Sequence, residues 1–300
     1  MKILMATDGS ADAATALRSA VRVMALKDAE VDVLCVTPKF EPPYSGWETG
    51  SVRERFSHRA RQLARRVAAR AEENLRAGGL EANQRVESGS PAELIVKLST
   101  EYDAVVIGAK GKGTSPNTGL GPVASRVLEH AASPLFIGRE IRSDSGFRVL
   151  VATDGSDASN EAIDQLGSLV DLSQADIRIL HVVESPWLHL GDEQELFGFD
   201  EPEHEAVEPE VRVEREMTIE ADRLVEEARV RLGVGRRAAV SVAVESGLPA
   251  TEILSELDRA DYDLVVLGSS GGDDLKHRLL GSVSAKVAWD APCSVLVVRA

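Results

Sequence analysis

The residues best suited to chemistry in this 300-residue chain lie in its last third, where Gly268-Ser269-Ser270-Gly271 is followed after nine residues by Gly281-Ser282-Val283-Ser284. Glycines let a backbone approach a phosphate closely. The amides that open a helix point outward with partial positive charge, and hydroxyls such as those of Ser282 and Ser284 donate to phosphate oxygens. The spacing predicts a cradle for a triphosphate. Upstream, the turn Ala152-Thr153-Asp154 offers a carboxylate that would either accept hydrogen bonds from a ribose or cap the helix that follows.

These residues need a frame, and the chain contains its own alignment. Lys2-Ile3-Leu4-Met5-Ala6-Thr7-Asp8-Gly9-Ser10 returns as Arg148-Val149-Leu150-Val151-Ala152-Thr153-Asp154-Gly155-Ser156, and Val86-Glu87-Ser88-Gly89 returns as Val244-Glu245-Ser246-Gly247. Tyr102-Asp103-Ala104-Val105-Val106-Ile107-Gly108 returns as Tyr262-Asp263-Leu264-Val265-Val266-Leu267-Gly268. Such a repeat means one supersecondary unit used twice. Within each copy, short Val/Ile/Leu runs alternate with longer stretches of helical period, as in βαβ units built on a parallel sheet. Strands are expected near 2–7, 31–36, 83–88, 103–108 and 134–138, then near 148–153, 176–183, 239–245, 263–268 and 294–299. Ser10 is expected to cap the first helix, and Pro91 and Pro122 suit first-turn positions, where a missing N–H costs nothing. The polar connection 140–147 divides the chain into domains 1–140 and 147–300, and the extra residues of the second copy, near 184–207, read as a surface loop or lid with partial disorder.

In such sheets ligands collect beyond the carboxyl ends of the strands, so the loops after the first, second and fourth strands of each copy are the places to look. The copies differ there. Copy one keeps Asp8, Gly108, Gly111 and Gly121, but Pro122 and Ala124 stand where copy two has Ser282 and Ser284. Two hydroxyls and one amide are thereby lost. Lys110 and Lys112 add positive charge in that loop, whereas copy two carries Asp273 and Asp274, which beside a triphosphate are unfavourable unless a divalent cation bridges them. Copy two is expected to have the better geometry and copy one the better charge.

Composition excludes several classes. The formal charge is −15, with 18 acids against 20 bases in residues 1–145 and 31 against 14 afterwards, which argues against nucleic acid as a partner. The arginine-rich run Arg53–Arg76, with Leu63 and Val67 at helical spacing, reads as a solvated amphipathic helix. No run is long and apolar enough for a membrane span and the start does not read as a signal peptide, so a cytoplasmic protein is expected. Cys35 and Cys293 read as buried, inert thiols. No Walker lysine motif, G-x-S-x-G elbow or H-E-x-x-H is present, which speaks against an efficient enzyme. His189 and His204 read as surface residues rather than metal ligands, His181 as a packed core residue, and Trp47 and Trp187 as loop residues near the expected adenine pocket that either stack on a base or pack in an exposed loop.

Gly268, Gly271, Gly281 and Ser282 match in type and spacing the G-x2-G-x9-G-[ST] pattern of the universal stress protein family, which the chain resembles over nearly its whole length, twice. The resemblance implies a five-stranded parallel-sheet, Rossmann-like domain of the adenine nucleotide alpha hydrolase type in each copy. The family's usual dimer would be replaced by an intramolecular pseudo-dimer, with a further homodimer left open. It implies a stress-response module that binds ATP, AMP or ADP, with or without Mg²⁺, and hydrolyses it slowly at most. Adenine would lie near Val182 and Val36, and the Ala152-Thr153-Asp154 turn would line the site. The alternative is an interaction protein that uses the same fold without nucleotide.

Overall fold

A computed structural model of the chain describes residues 1–39, 50–115, 119–141, 146–184, 208–233, 239–269 and 280–299. Among the described residues ten strands form one sheet. The first five are β1 Lys2–Ala6, β2 Glu30–Thr37, β3 Asn83–Ser88, β4 Ala104–Gly108 and β5 Leu135–Gly138; the next five are β6 Phe147–Ala152, β7 Ala175–Val183, β8 Ala239–Ser246, β9 Leu264–Gly268 and β10 Ser294–Val298. Every strand foreseen from the repeat is present. The helices are α1 Ala11–Val23, α2 Gly50–Ala77, α3 Pro91–Leu98, α4 Pro122–His130, α5 Asp157–Leu169, α6 Glu208–Leu232, α7 Pro249–Arg259 and α8 Ser282–Asp290.

Helix starts follow the local chemistry of the sequence. The Ser10 hydroxyl accepts from the Ala13 amide and the Ser156 hydroxyl from the Ser159 amide, while Pro91, Pro122 and Pro249 occupy first-turn positions. Strand order is β3-β2-β1-β4-β5-β10-β9-β6-β7-β8. Each half is parallel throughout, and the halves join by antiparallel pairing of β5 with β10. Core strands such as Ala104–Ile107 and Leu264–Leu267 are buried along their length, as a sheet covered on both faces requires. One apolar layer lies under α1, α2, α5 and α6 and the other under α3, α4, α7 and α8, and both run through the two halves without interruption.

The α2 helix turns its alanines inward: Ala64, Ala68, Ala71 and Leu75 are buried and Val67 packs against the same layer. Leu63 is 53% exposed, so the apolar stripe expected from its spacing runs one residue further along the helix.

The junction obeys a pseudo-two-fold relation. Phe136 pairs with Leu296, its own counterpart, at the centre of the β5–β10 ladder. The Arg139 guanidinium reaches across to donate to the Ala288 carbonyl at 3.0 Å and the Cys293 carbonyl at 3.0 Å. In return Arg299 donates to the Leu128 carbonyl. Each arginine thus places a cation at the C-terminal turn of a helix from the other half, where the helix dipole favours it. Reciprocal bonds from Ala25 N to Leu169 O and from Asp171 N to Val23 O tie the ends of α1 and α5 together.

Candidate functional site

Strand order reverses between β1 and β4 and again between β6 and β9, and at each reversal a cleft opens beyond the strand ends. The first cleft, about 270 Å³, has apolar walls from Leu34, Val36, Ile95 and Ile107 and a rim of Asp8, Lys110, Gly111, Lys112, Thr114, Gly121 and Pro122. The second, about 370 Å³, has walls from Leu180, Val182, Ile253 and Leu267 and a rim of Ala152, Asp154, Glu184, Gly268, Gly281, Ser282, Val283 and Ser284. Each therefore joins an apolar slot to a helix start. In the second, the Ala285 amide donates to Gly281 O, which leaves the amides of Ser282, Val283 and Ser284 as a first turn without backbone partners among the described residues. In the first, Ser125 N bonds to Gly121 O, so Val123 and Ala124 supply the free amides and Pro122 supplies none.

Most residues foreseen from the sequence meet at these clefts, but several do so in roles of their own. Asp8 and Asp154 do not cap the helices; Ser10 and Ser156 do. Asp8 accepts from Ser10 N at 2.8 Å through one oxygen and from Lys112 N at 2.7 Å through the other, clasping the β4–α4 loop to the β1 turn. Burial, the largest single influence, pushes its carboxyl up. The hydrogen bonds from the Ser10 side chain and the Lys112 and Ser10 amides, with the Lys112 charge, outweigh burial and hold it below the usual carboxylate range. Asp154 accepts from the Ser156 amide at 3.0 Å and the Ser156 hydroxyl at 2.5 Å.

Two glycines of the pattern are explained by packing. A Cβ on Gly108 would lie 2.9 Å from the Ala13 nitrogen, and one on Gly268 would lie 2.7 Å from the Ala158 carbonyl carbon, so each lets a helix start press against a strand end. Gly111 has a different neighbour: a Cβ there would meet Asp8 Oδ2 at 2.9 Å. Ser284 is buried and its hydroxyl donates to Gly268 O at 2.6 Å, a bond that would have to be given up before it served a phosphate; Ser282 is exposed. Ser269 is buried, and its carbonyl accepts from Gly281 N at 2.7 Å, as Ala109 O does from Gly121 N at 2.8 Å. Gly271, Asp273, Asp274, Trp47, Trp187, His189, His204 and nearly all of the 184–207 insertion lie outside the described residues.

Sequence reasoning missed Thr114 and Glu184. Thr114 comes back to the helix start after the left-handed turn at Gly113, its hydroxyl 3.1 Å from where a Cβ of Gly121 would sit. No motif marks it, because its place depends on the path of the loop. His181 is half-buried rather than packed in the core, and its Nδ1 lies 2.8 Å from Thr153 O. Cys35 and Cys293 are buried as expected. Burial pushes the Cys293 thiol up to about 12, with Arg139 opposing, so it stays protonated.

The family model described as the universal stress protein family matches residues 1–139 and again 147–299. The chain belongs to that family. A universal stress protein of Mycolicibacterium smegmatis is 29% identical over 307 residues, covering 99% of this chain and 96% of its own. Universal stress protein YxiE of Bacillus subtilis is 33% identical over 152 residues, 51% of this chain and 98% of its own. Among solved structures, a universal stress protein from Archaeoglobus fulgidus matches 99% of this chain and 98% of its own with a TM-score of 0.66 at 21% identity, a likeness of fold. The tandem arrangement thus has a full-length relative, and the shorter relative corresponds to one universal stress protein unit. Among the described residues no helix is long and apolar enough to cross a membrane.

Proposed function

We propose that the protein is a cytoplasmic regulatory module that binds an adenine nucleotide, ATP or AMP, with the second cleft as the better-formed site and slow hydrolysis at most. The observation that carries this reading is the pairing, at each reversal of strand order, of an apolar slot with a helix start. Leu180, Val182 and Ile253 offer a wall for a base, and the first-turn amides of α8 stand where a phosphate chain would run. Membership of the family adds weight, because Gly268, Gly271, Gly281 and Ser282 resemble the glycine pattern of its nucleotide-binding branch. Asp154 would then accept from the ribose, and Gly281, Ser282 and Val283 would hold the phosphates. We further read residues 1–140 and 147–300 as the two functional units, locked as a pseudo-dimer by β5 and β10.

Calorimetric titration with ATP and Mg²⁺ tests the reading. Saturable binding is expected, and Ser282→Pro, which gives α8 the residue found at the start of α4, should weaken the second site without unfolding the chain. Absence of binding at millimolar ATP would leave an interaction protein without nucleotide, the reading that Pro122 favours for the first cleft.

A further inference from the structure

The α8 helix is held by both halves of the molecule. Its start, at Ser282, Val283 and Ser284, lines the second cleft. Its end is gripped by the first half: Arg139 donates to the Ala288 carbonyl at 3.0 Å, and the next residue, Trp289, lies against Gly119. A Cβ at Gly119 would run into the Trp289 carbonyl oxygen and stand 2.7 Å from the indole Nε1. Gly119 does not have a left-handed φ, so what requires glycine here is space, and Trp289 occupies that space. Gly108, Gly138 and Gly268 are closed in by helices of their own half, whereas Gly119 is closed in by the other half.

Gly119 is two residues from the rim of the first cleft. Leu120, next in the chain, is buried in the apolar layer. Gly121 follows as the residue before α4; its N–H donates to Ala109 O at 2.8 Å and its carbonyl accepts from the Ser125 amide at 2.9 Å. Two residues of chain span at most about 7 Å. Where Trp289 seats Gly119 therefore bears directly on where Gly121 and the first-turn amides of α4 point. The contact has backbone on one side and a ring and carbonyl on the other, so no flexible side chain lies between to absorb a shift. The corresponding residue of α4 is Glu129, an exposed carboxylate, so the aromatic brace is carried by α8 and not by α4.

We propose that Trp289 is a positioning residue of the first cleft: a side chain of the second half seats the chain leading into α4, so that cleft is complete only across the junction. This rests on the nucleotide reading above and adds a residue which that reading does not use. Loss of the indole lets Gly119 shift, and the amides of Val123 and Ala124 lose their fixed direction toward a phosphate. The second cleft lies at the opposite end of α8, about 10 Å away along the helix. It keeps its own frame, because the Ser284 hydroxyl is bonded to Gly268 O and the Gly281 amide to Ser269 O.

The test is calorimetric titration of the full chain with ATP and Mg²⁺ in two backgrounds. Val182→Trp fills the slot of the second cleft and leaves the first to be read alone, and Val36→Trp does the reverse. In the first background, Trp289→Ala should weaken binding about fivefold or more, the lower end of couplings between separated groups. Trp289→Phe, which keeps a ring against Gly119, should bind as the background does. Gly119→Ala, which puts a methyl where the Trp289 carbonyl lies, should weaken binding as Trp289→Ala does. In the second background, Trp289→Ala should leave affinity unchanged. First-cleft affinity untouched by Trp289→Ala, equal losses at both clefts, or no rescue by phenylalanine overturns the positioning role while leaving nucleotide binding intact. Binding by the parent chain that Val182→Trp abolishes altogether overturns it too, because the first cleft then takes no nucleotide. No binding by the parent chain overturns nucleotide binding itself, and the positioning role with it.

Discussion

At the start of α4 the first copy has a proline, two lysines in the preceding loop and an aspartate clasped to that loop. At the start of α8 the second has a serine, first-turn amides without backbone partners among the described residues, and Asp154 and Glu184 in the described lining. Beneath these loops the copies are nearly interchangeable. The same capping serine, the same helix-to-strand glycine contact and the same reciprocal arginine occur in each half. The frame is constrained by packing, so both copies must keep it. The rim meets solvent, so each copy could diverge there without loss of stability.

The strongest test of a shared frame is steric. Gly108→Val and Gly268→Val each place a side chain against the backbone of a helix start, at 2.9 Å and 2.7 Å respectively, where no flexible group can yield. Each should lower the unfolding free energy by about 3 kcal/mol, the upper end of ordinary overpacking. Urea midpoints would show it, and tolerance in one copy alone would break the equivalence.

The junction should show a smaller and unequal response. Arg139 makes two bonds to carbonyls of the second half, while Arg299 makes its bond to Leu128 and keeps a buried Nε without a partner among the described residues. Arg139→Met should therefore cost about 2–3 kcal/mol and Arg299→Met about 1 kcal/mol, from charge-assisted bonds lost and desolvation relieved. Equal losses in thermal unfolding would show that the pseudo-symmetry extends to energy as well as geometry.

Acid should expose the clasp of the first copy. Its hydrogen bonds hold the Asp8 carboxyl below its unfolded value, so the folded state gains stability from it at all pH above about 4. That contribution fades as pH falls through the folded value. Asp8→Asn should therefore be less stable than the parent chain at neutral pH, with the gap narrowing below pH ~4. Urea midpoints between pH 7 and pH 3 check this, and a gap independent of pH would mean the clasp does not depend on the charge of Asp8.

How much of this was legible beforehand follows from what each feature depends on. The ten strands and the proline and serine helix starts were readable because they arise from local period and capping chemistry, doubled by the repeat. The glycine spacing pointed to loops that line the two clefts, yet the packing of Gly108 and Gly268 between helix and strand could not be read from spacing, which does not say which backbone lies opposite. Thr114 and the Asp8–Lys112 clasp were hidden for a related reason. They join residues brought near by a loop path rather than by period. Leu63 misled because helical spacing admits two adjacent stripes, and small alanines proved the better fit against the sheet.

The smallest effect tests the proline itself. Pro122→Ser returns an amide and a hydroxyl to the start of α4, the two groups that Ser282 supplies in α8. The substitution sits at a first-turn position, where serine is as acceptable as proline, so stability should change little. One added hydrogen bond to a charged phosphate is worth about 1.5 kcal/mol or more when fully formed. Thr114 already offers a hydroxyl beside Gly121, so the gain should fall short of that, near threefold to fivefold in affinity at the first cleft. Titration with ATP of a chain that also carries Val182→Trp, which fills the slot of the second cleft, isolates the first. A gain approaching tenfold would show that Thr114 contributes nothing and that charge alone sustains the first site. No gain would show that the loop of Lys110, Lys112 and Thr114 has fully replaced the helix-start chemistry that the second copy retains.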